Sequence, residues 1–330
     1  MEEFELVIIG GGFAGLTASI FASERGLKTI VLTKNIGGQI LLSDRVTNYP
    51  GFREISGREL IENLYKQVKS KNVDMRIEEV KEIREKGEKY LIKTDKNEYL
   101  TKTIIIASGK IPRKLGIPGE DQFSGKYLFY SFVPSLEELK GKKVAVIGGG
   151  NTALEVCLKA SEYAEKVFII HRRSEFRGFE SLVQKIKDKE NVELVMNAIP
   201  KEIVGKEKIE KLILEKTKVE EGKVIPTGEK FELEIDYIFV CIGFVPSTGI
   251  LEGFVKMNEY KMVEIDKFCR TFDPKTGEIK QGVFAAGDIT DTPFKQLTVA
   301  AGEGTKAALQ AYLYIKGVKG GPVISSWHSK

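Results

Sequence analysis

The sequence predicts an α/β protein built from two three-layer (β/β/α) units of one kind, the first interrupted by the second. Three observations carry this. The stretches "LVIIGGGFAGLTA" at 6–18 and "VAVIGGGNTALE" at 144–155 each run from an apolar strand through a glycine turn into a helix, and a device that occurs twice means two units. Each is followed by short β-like runs separated by polar turns, at 73–107 and 192–242, closing in the apolar strands "KTIIIASG" and "YIFVCIGF". That alternation marks an antiparallel meander beside a buried strand. Beyond Pro246 there is no third glycine run, and "GVFAAGD" at 282–288 reads as a buried strand ending in an acid. This last segment is expected to return and complete the first unit.

In order, the first unit opens with a strand at Leu6 to Ile9, a helix from about Ala14 to Arg25 and a strand at Thr29 to Leu32. The second opens with a strand at Val144 to Ile147, a helix from about Thr152 to Tyr163 and a strand at Val167 to Ile170. Branched apolar residues fill the strands, and small or straight-chain residues fill the helices. The Gly/Pro-rich segments "GKIPRKLGIPGE" at 109–120 and "GFVPST" at 243–248 are the expected crossings between units. The predicted domains are therefore 1–115, 116–245 and 246–330, the last completing the first domain and ending in a short polar tail.

Composition excludes several classes. With 42% hydrophobic and 30% charged residues, the 330-residue chain is an ordinary globular α/β protein. Its 51 Lys+Arg and 47 Asp+Glu are interleaved, giving +4 and no polybasic run, so no nucleic-acid partner is expected. No apolar run approaches the roughly 20 residues of a membrane helix. The opening "MEEFELVIIGGG" passes from acids straight into a strand, which predicts no signal peptide and a cytoplasmic protein. The three cysteines, Cys157, Cys241 and Cys269, form no C-x-x-C and read as buried thiols. With only two histidines, no metal site is expected.

Gly10, Gly12 and Gly15 satisfy G-x-G-x-x-G, and Gly148, Gly150 and Ala153 satisfy its G/A variant. The spacing serves a tight turn, a bare backbone that a pyrophosphate can approach, and a helix start whose free N–H groups meet negative charge. Both units are thus Rossmann-like and dinucleotide-binding. About 20 residues past the glycines such a chain meets the adenosine ribose. In the second unit that point reads "IIHRRSEFR", where Arg172 and Arg173, with Arg177 a turn later, can grip a 2'-phosphate through charge-assisted hydrogen bonds. NADP(H) is the expected ligand, with Asn151, Thr152 and His171 completing its site. In the first unit the corresponding residue is Thr33, whose hydroxyl can bond a ribose but selects no dinucleotide.

Over nearly its whole length the chain resembles the low-molecular-weight thioredoxin reductase family of flavoproteins. The segments that carry the resemblance are "IIGGGFAGLTA", "GGQI", "TNYPGF", "IIIASG", "VAVIGGGNTALE", "IIHRRSEFR" and "GVFAAGDITDTPFKQLTVAAGEG". It implies an FAD site at Gly10, Gly12, Gly15, Gly38, Gln39, Asn48, Gly109, Asp288, Gln296 and Leu297. It implies an NADPH site at the second run and its arginines. In such a site Asp288 would reach a ribityl hydroxyl, and Gln296 and Leu297 at a helix start would favour reduced, anionic flavin.

The departure from the family concerns its redox dithiol. Members with thioredoxin reductase activity carry C-x-x-C followed by an acid just upstream of the second glycine run. Counted back from that run, the positions here are Ser131, Phe132, Val133, Pro134 and Ser135. Without sulfur there is no internal relay for disulfide exchange. In lacking it the chain resembles most the thioredoxin-reductase-like ferredoxin-NADP reductases. These are homodimers in which flavin exchanges single electrons directly with ferredoxin or a similar small iron-sulfur protein. In that group a C-terminal aromatic or His covers the flavin of the partner subunit. Here Trp327 and His328 in "GPVISSWHSK" stand for that role, unless the tail is disordered or a dimer contact. Tyr49 could cover the opposite flavin face or simply pack in its turn. The resemblance implies hydride transfer between NADP(H) and FAD, and one-electron exchange between flavin and ferredoxin. An oxidase or diaphorase using oxygen, a quinone or an external disulfide is the alternative, and a non-turnover redox-sensing module is a third reading.

Overall fold

The computed structural model describes residues 1–131 and 135–318. Phe132, Val133 and Pro134, and the flavin-covering candidates Trp327 and His328, lie outside the described residues. The chain divides into two compact units, one formed by Met1–Ile111 with the chain from Pro246 on, the other by Pro112–Val245. The first crossing falls after residue 111 and not after 115, because the Arg113 N–H already donates to the Gly243 carbonyl within the second unit.

In the first unit the strand Glu2–Gly12 lies between Thr29–Gly37 and Glu98–Ile106, parallel to both. Ile279–Ala285 adds in parallel beyond Glu98–Ile106, so the chain after Pro246 does return to the first sheet. Successive side chains of a strand point to opposite faces. Leu6 and Ile8 enter a core with the alanines of Phe13–Glu24 and Leu297–Ile315, among them Ala14, Ala18, Ala307 and Ala311. Val7 and Ile9 enter the opposite core, with Ile83 and Ile92. Both faces are covered, which is why "LVII" is apolar without interruption. Each such buried aliphatic side chain contributes about 1.5–3 kcal/mol.

The covering layer on that second face is the meander Val80–Lys86, Lys89–Thr94 and the start of Glu98–Ile106, antiparallel throughout. The sequence reading placed 74–77 in this meander as well. Instead Asp74–Ile77 pairs parallel with the strand Thr29–Gly37 at the sheet edge. The helix Gly57–Ser70 makes the crossover that a parallel pairing requires, and Ser56 caps it by accepting the Glu59 N–H at 3.1 Å.

The second unit repeats the plan. Its parallel sheet runs Val192–Met196, Lys166–His171, Lys143–Gly148, Tyr237–Cys241, Leu128–Tyr130. Val144 and Val146 pack on the helix Asn151–Ser161. Ala145 and Ile147 pack against Ile203, Leu212 and Leu214 of the meander Ala198–Gly205, Ile209–Glu220, Lys223–Glu234. As in the first unit, the strand at 192–196 belongs to the parallel sheet and not to the meander.

Candidate cofactor-binding sites

In the first unit the glycine turn, the "GGQ" segment and the end of Glu98–Ile106 meet at the carboxyl end of the parallel sheet, where such sheets bind ligands. The pairing of Glu2–Gly12 with Thr29–Gly37 continues through the turn, with Gly12 opposite Gly37, so Gly38 lies beside Gly12. A side-chain carbon at Gly15 would overlap the Gly10 carbonyl oxygen, whereas one at Gly12 would meet nothing within 4 Å. Gly15 is therefore needed by the turn itself, and Gly12 leaves open space over it. That open backbone at the start of Phe13–Glu24 fits a pyrophosphate. The Gln39 Nε2 donates to the Lys110 carbonyl at 3.0 Å, bringing "GGQ" to Gly109. The Asn48 amide donates to the Gln296 Oε1 at 3.1 Å, and Gln296 is the N-cap of Leu297–Ile315.

Asp288 is half-buried just past the strand Ile279–Ala285, and its loop is ordered by a residue the sequence reading missed. Glu303 is 4% exposed. Its carboxylate accepts the Gly287 N–H at 2.7 Å and the Thr290 and Thr292 hydroxyls. The signal was present in "AAGEG", an acid set among small residues.

Thr33 and Tyr49 are both engaged within the protein. Thr33 is 6% exposed; its hydroxyl accepts the Gly11 N–H at 2.9 Å and donates to the Asn35 carbonyl at 2.5 Å. The hydroxyl expected to bond a ribose braces the glycine turn. Tyr49 meets Phe13 edge to face at 5.3 Å and stacks with Phe52 at 6.4 Å.

In the second unit a cleft of about 810 Å³ is lined by Gly148, Gly150, Asn151, Thr152, His171, Arg172 and Arg177, all expected from sequence. Ala153 is buried beneath the turn. Two hydrogen bonds fold the arginine loop back onto the glycine turn: Arg177 N–H to the Gly149 carbonyl at 2.7 Å, and Phe179 N–H to the Asn151 Oδ1 at 2.8 Å. Nothing lies within 4 Å of where a Gly150 side chain would start, so this helix start too is open to phosphate.

His171 is 4% exposed, its ring lies tilted against Phe176 at 5.6 Å, and its Nε2 has no hydrogen-bond partner. Burial, reinforced by the charges of Arg177 and Arg172, holds its pKa below the ordinary value. It is a neutral ring beside the cleft with one buried polar atom left without a partner.

The three arginines divide. Arg172 and Arg177 are exposed and line the cleft, whereas Arg173 does not. Half-buried, it donates from Nη2 to the Gly222 carbonyl at 3.3 Å, at the meander hairpin. A fourth cation, Arg113, lines the cleft; burial first, then Arg177, Arg173 and last Arg113, lower the Arg172 pKa. Its place in a Gly/Pro crossing hid it from a search for motif spacing.

The comparisons agree with this architecture. Residues 4–304 match the family model described as pyridine nucleotide-disulphide oxidoreductase. The chain is 34% identical over 318 residues to a Clostridium pasteurianum "34.2 kDa protein in rubredoxin operon", covering 96% of this chain and 98% of that one. It is 32% identical over 315 residues to thioredoxin reductase of Bacillus subtilis, covering 95% of each. The crystal structure of Lactococcus lactis thioredoxin reductase superposes with a TM-score of 0.79 at 30% identity, over 96% of this chain and all of that one. The chain therefore belongs to the pyridine nucleotide-disulphide oxidoreductase family as an oxidoreductase of thioredoxin reductase type, with FAD and NADP(H) as its cofactors.

Proposed function

We propose that the protein is a ferredoxin-NADP reductase, moving electrons between NADP(H) and a small iron-sulfur protein without an internal dithiol. One observation carries this reading: Ser131 and Pro134 occupy the positions that hold the two sulfurs in thioredoxin reductases. The remaining thiols offer no substitute. Cys157, Cys241 and Cys269 are free and buried, and burial pushes each thiol up to about 12, the state of an inert structural cysteine. The gene context of the Clostridium pasteurianum relative, a rubredoxin operon, supports a one-electron acceptor.

Bound FAD would supply the step between nicotinamide, which carries electrons in pairs, and an iron-sulfur cluster, which takes one. The protein's own groups bind, orient and exclude water. Gly12 and Gly38, with the helix start at Phe13, would hold the FAD pyrophosphate, and Asp288 would accept a ribityl hydroxyl. Asn48 and Gln296 hold their two segments together at that site. The NADP(H) phosphates would lie at Gly150 and Asn151, with Arg172 and Arg177 on the 2'-phosphate. A homodimer is part of the proposal, as is a flavin-covering role for Trp327 or His328.

The test is stopped-flow mixing of the NADPH-reduced enzyme with ferredoxin, oxygen and thioredoxin in parallel. Ferredoxin should be reduced fastest. Faster reaction with oxygen would assign an oxidase, and turnover of thioredoxin would overturn the reading outright.

A further inference from the structure

Arg113 and Ser131 line the NADP(H) cleft from two segments 18 residues apart, and one buried acid joins the segments. Glu120 is 3% exposed. Its Oε1 accepts the Leu115 N–H at 2.8 Å, and its Oε2 accepts the Gly116 N–H at 2.7 Å. Oε1 also accepts the Tyr130 hydroxyl at 2.8 Å. The Leu115–Gly116 turn directly follows Arg113 and Lys114. Tyr130 ends the strand Leu128–Tyr130, and the next residue, Ser131, has φ +54° and donates its N–H to the Val240 carbonyl at 3.0 Å.

We infer that Glu120 is a positioning residue for NADP(H) binding: it fixes the 113–116 turn so that Arg113 stands at the cleft as a third cation beside Arg172 and Arg177. The inference rests on reading this cleft as the NADP(H) site. Arg113 itself is exposed, and its backbone N–H donates to the Gly243 carbonyl at 2.9 Å. A long side chain on a Gly/Pro crossing reaches a fixed place only if the crossing is fixed. Two charge-assisted backbone bonds to one carboxylate do that. The Tyr130 bond ties the same carboxylate to the sheet strand. The occupant carries a 2'-phosphate and a pyrophosphate, and a third cation adds affinity without touching the nicotinamide. The expected signature is a change in KM with kcat preserved.

The experiment is a double-mutant cycle on the FAD-loaded enzyme, measuring NADPH KM, kcat with ferricyanide, and the Kd of 2',5'-ADP by calorimetry. Arg113→Ala should raise NADPH KM and the Kd about 10-fold at unchanged kcat, and Arg113→Lys should restore part of the loss. Glu120→Gln, whose amide cannot accept both N–H groups, should raise KM several-fold. It should have little further effect in the Arg113→Ala background, because non-additivity reports that one residue acts through the other. Tyr130→Phe keeps both backbone bonds and serves as the second variant if Glu120→Gln fails to fold; its smaller loss should likewise vanish in Arg113→Ala. Full binding by Arg113→Ala, or independent multiplication of the two effects, overturns the inference. Arg172→Ala is the control: if it too leaves binding unchanged, the NADP(H) reading of the cleft falls, and the inference with it.

Discussion

Asn48 and Gln296, 248 residues apart in the chain, meet side chain to side chain, the Asn48 amide nitrogen donating to Gln296 Oε1 at 3.1 Å. One comes from the "TNYPGF" turn and the other stands at the N-cap position of the long helix Leu297–Ile315. The bond is exposed, so its net contribution to folding is small. Its effect should fall on the proposed flavin site, where it would hold two segments in one arrangement before ligand arrives. Asn48→Ala should leave unfolding free energy within about 0.5 kcal/mol of the parent. It should weaken FAD retention about 5-fold, the equivalent of one lost hydrogen bond of about 1 kcal/mol. Flavin fluorescence released on dilution measures this, and unchanged retention would show that the pairing is incidental.

The two glycines of the first turn separate folding from binding. A methyl at Gly15 would overlap the Gly10 carbonyl oxygen, while one at Gly12 would meet no protein atom within 4 Å. Gly15→Ala should therefore unfold the turn, costing about 3 kcal/mol or more, and give little soluble protein. Gly12→Ala should keep the circular dichroism of the parent and lose most of its FAD, because the methyl occupies the approach of the pyrophosphate. Normal flavin content in Gly12→Ala would place the phosphates elsewhere.

How much of this was legible in the sequence depends on where each constraint acts. The glycine turns were legible because their requirement is local: a strand, a bare turn and a helix start within a dozen residues. The apolar strands "LVII" and "VAVI" were legible for the same reason, whereas the burial of both their faces is a finding of the structure. The edge strands at 74–77 and 192–196 were misassigned to the meanders because a run of four or five residues carries the same alternation in either setting. Only the partner strand decides between them. Thr33 shows the limit at a single residue. The strand expected to end at Leu32 runs on to Gly37, so Thr33 lies inside it, and its hydroxyl is consumed by the Gly11 N–H and the Asn35 carbonyl. Glu303, Glu120 and Arg113 escaped altogether, since each acts on a segment that periodicity cannot pair with it.

Arg172 and Arg173 are adjacent in sequence and unequal in place. Arg172 lines the cleft, whereas Arg173 donates to the Gly222 carbonyl at 3.3 Å and has a buried Nε without a partner. Arg172→Ala should raise NADPH KM about 10- to 100-fold, in keeping with about 1.5–3 kcal/mol for a hydrogen bond to a charged group, and leave NADH turnover unchanged. Arg173→Ala should alter NADPH KM only a few-fold and act mainly on thermal stability. Equal effects of the two on the NADPH over NADH preference would mean that both reach the 2'-phosphate.

His171 gives the cleft a pH signature. Its ring is buried against Phe176, and burial together with Arg177, Arg172 and Arg173 lowers its pKa, with only a backbone hydrogen bond at Glu175 acting the other way. The folded state therefore binds a proton less readily than the unfolded chain, whose histidine titrates near 6.5. Above that value both states carry a neutral ring and His171 adds no pH dependence. Below it the unfolded chain takes up the proton first, so stability is lost as pH falls from about 6.5 toward the folded pKa. The slope approaches at most about 1.4 kcal/mol per pH unit for one proton. Urea unfolding of the parent between pH 7 and 5 should show this loss, and His171→Asn should flatten that part of the curve. An identical slope in parent and variant would assign the acid sensitivity to carboxylates and leave the buried imidazole without a part in it.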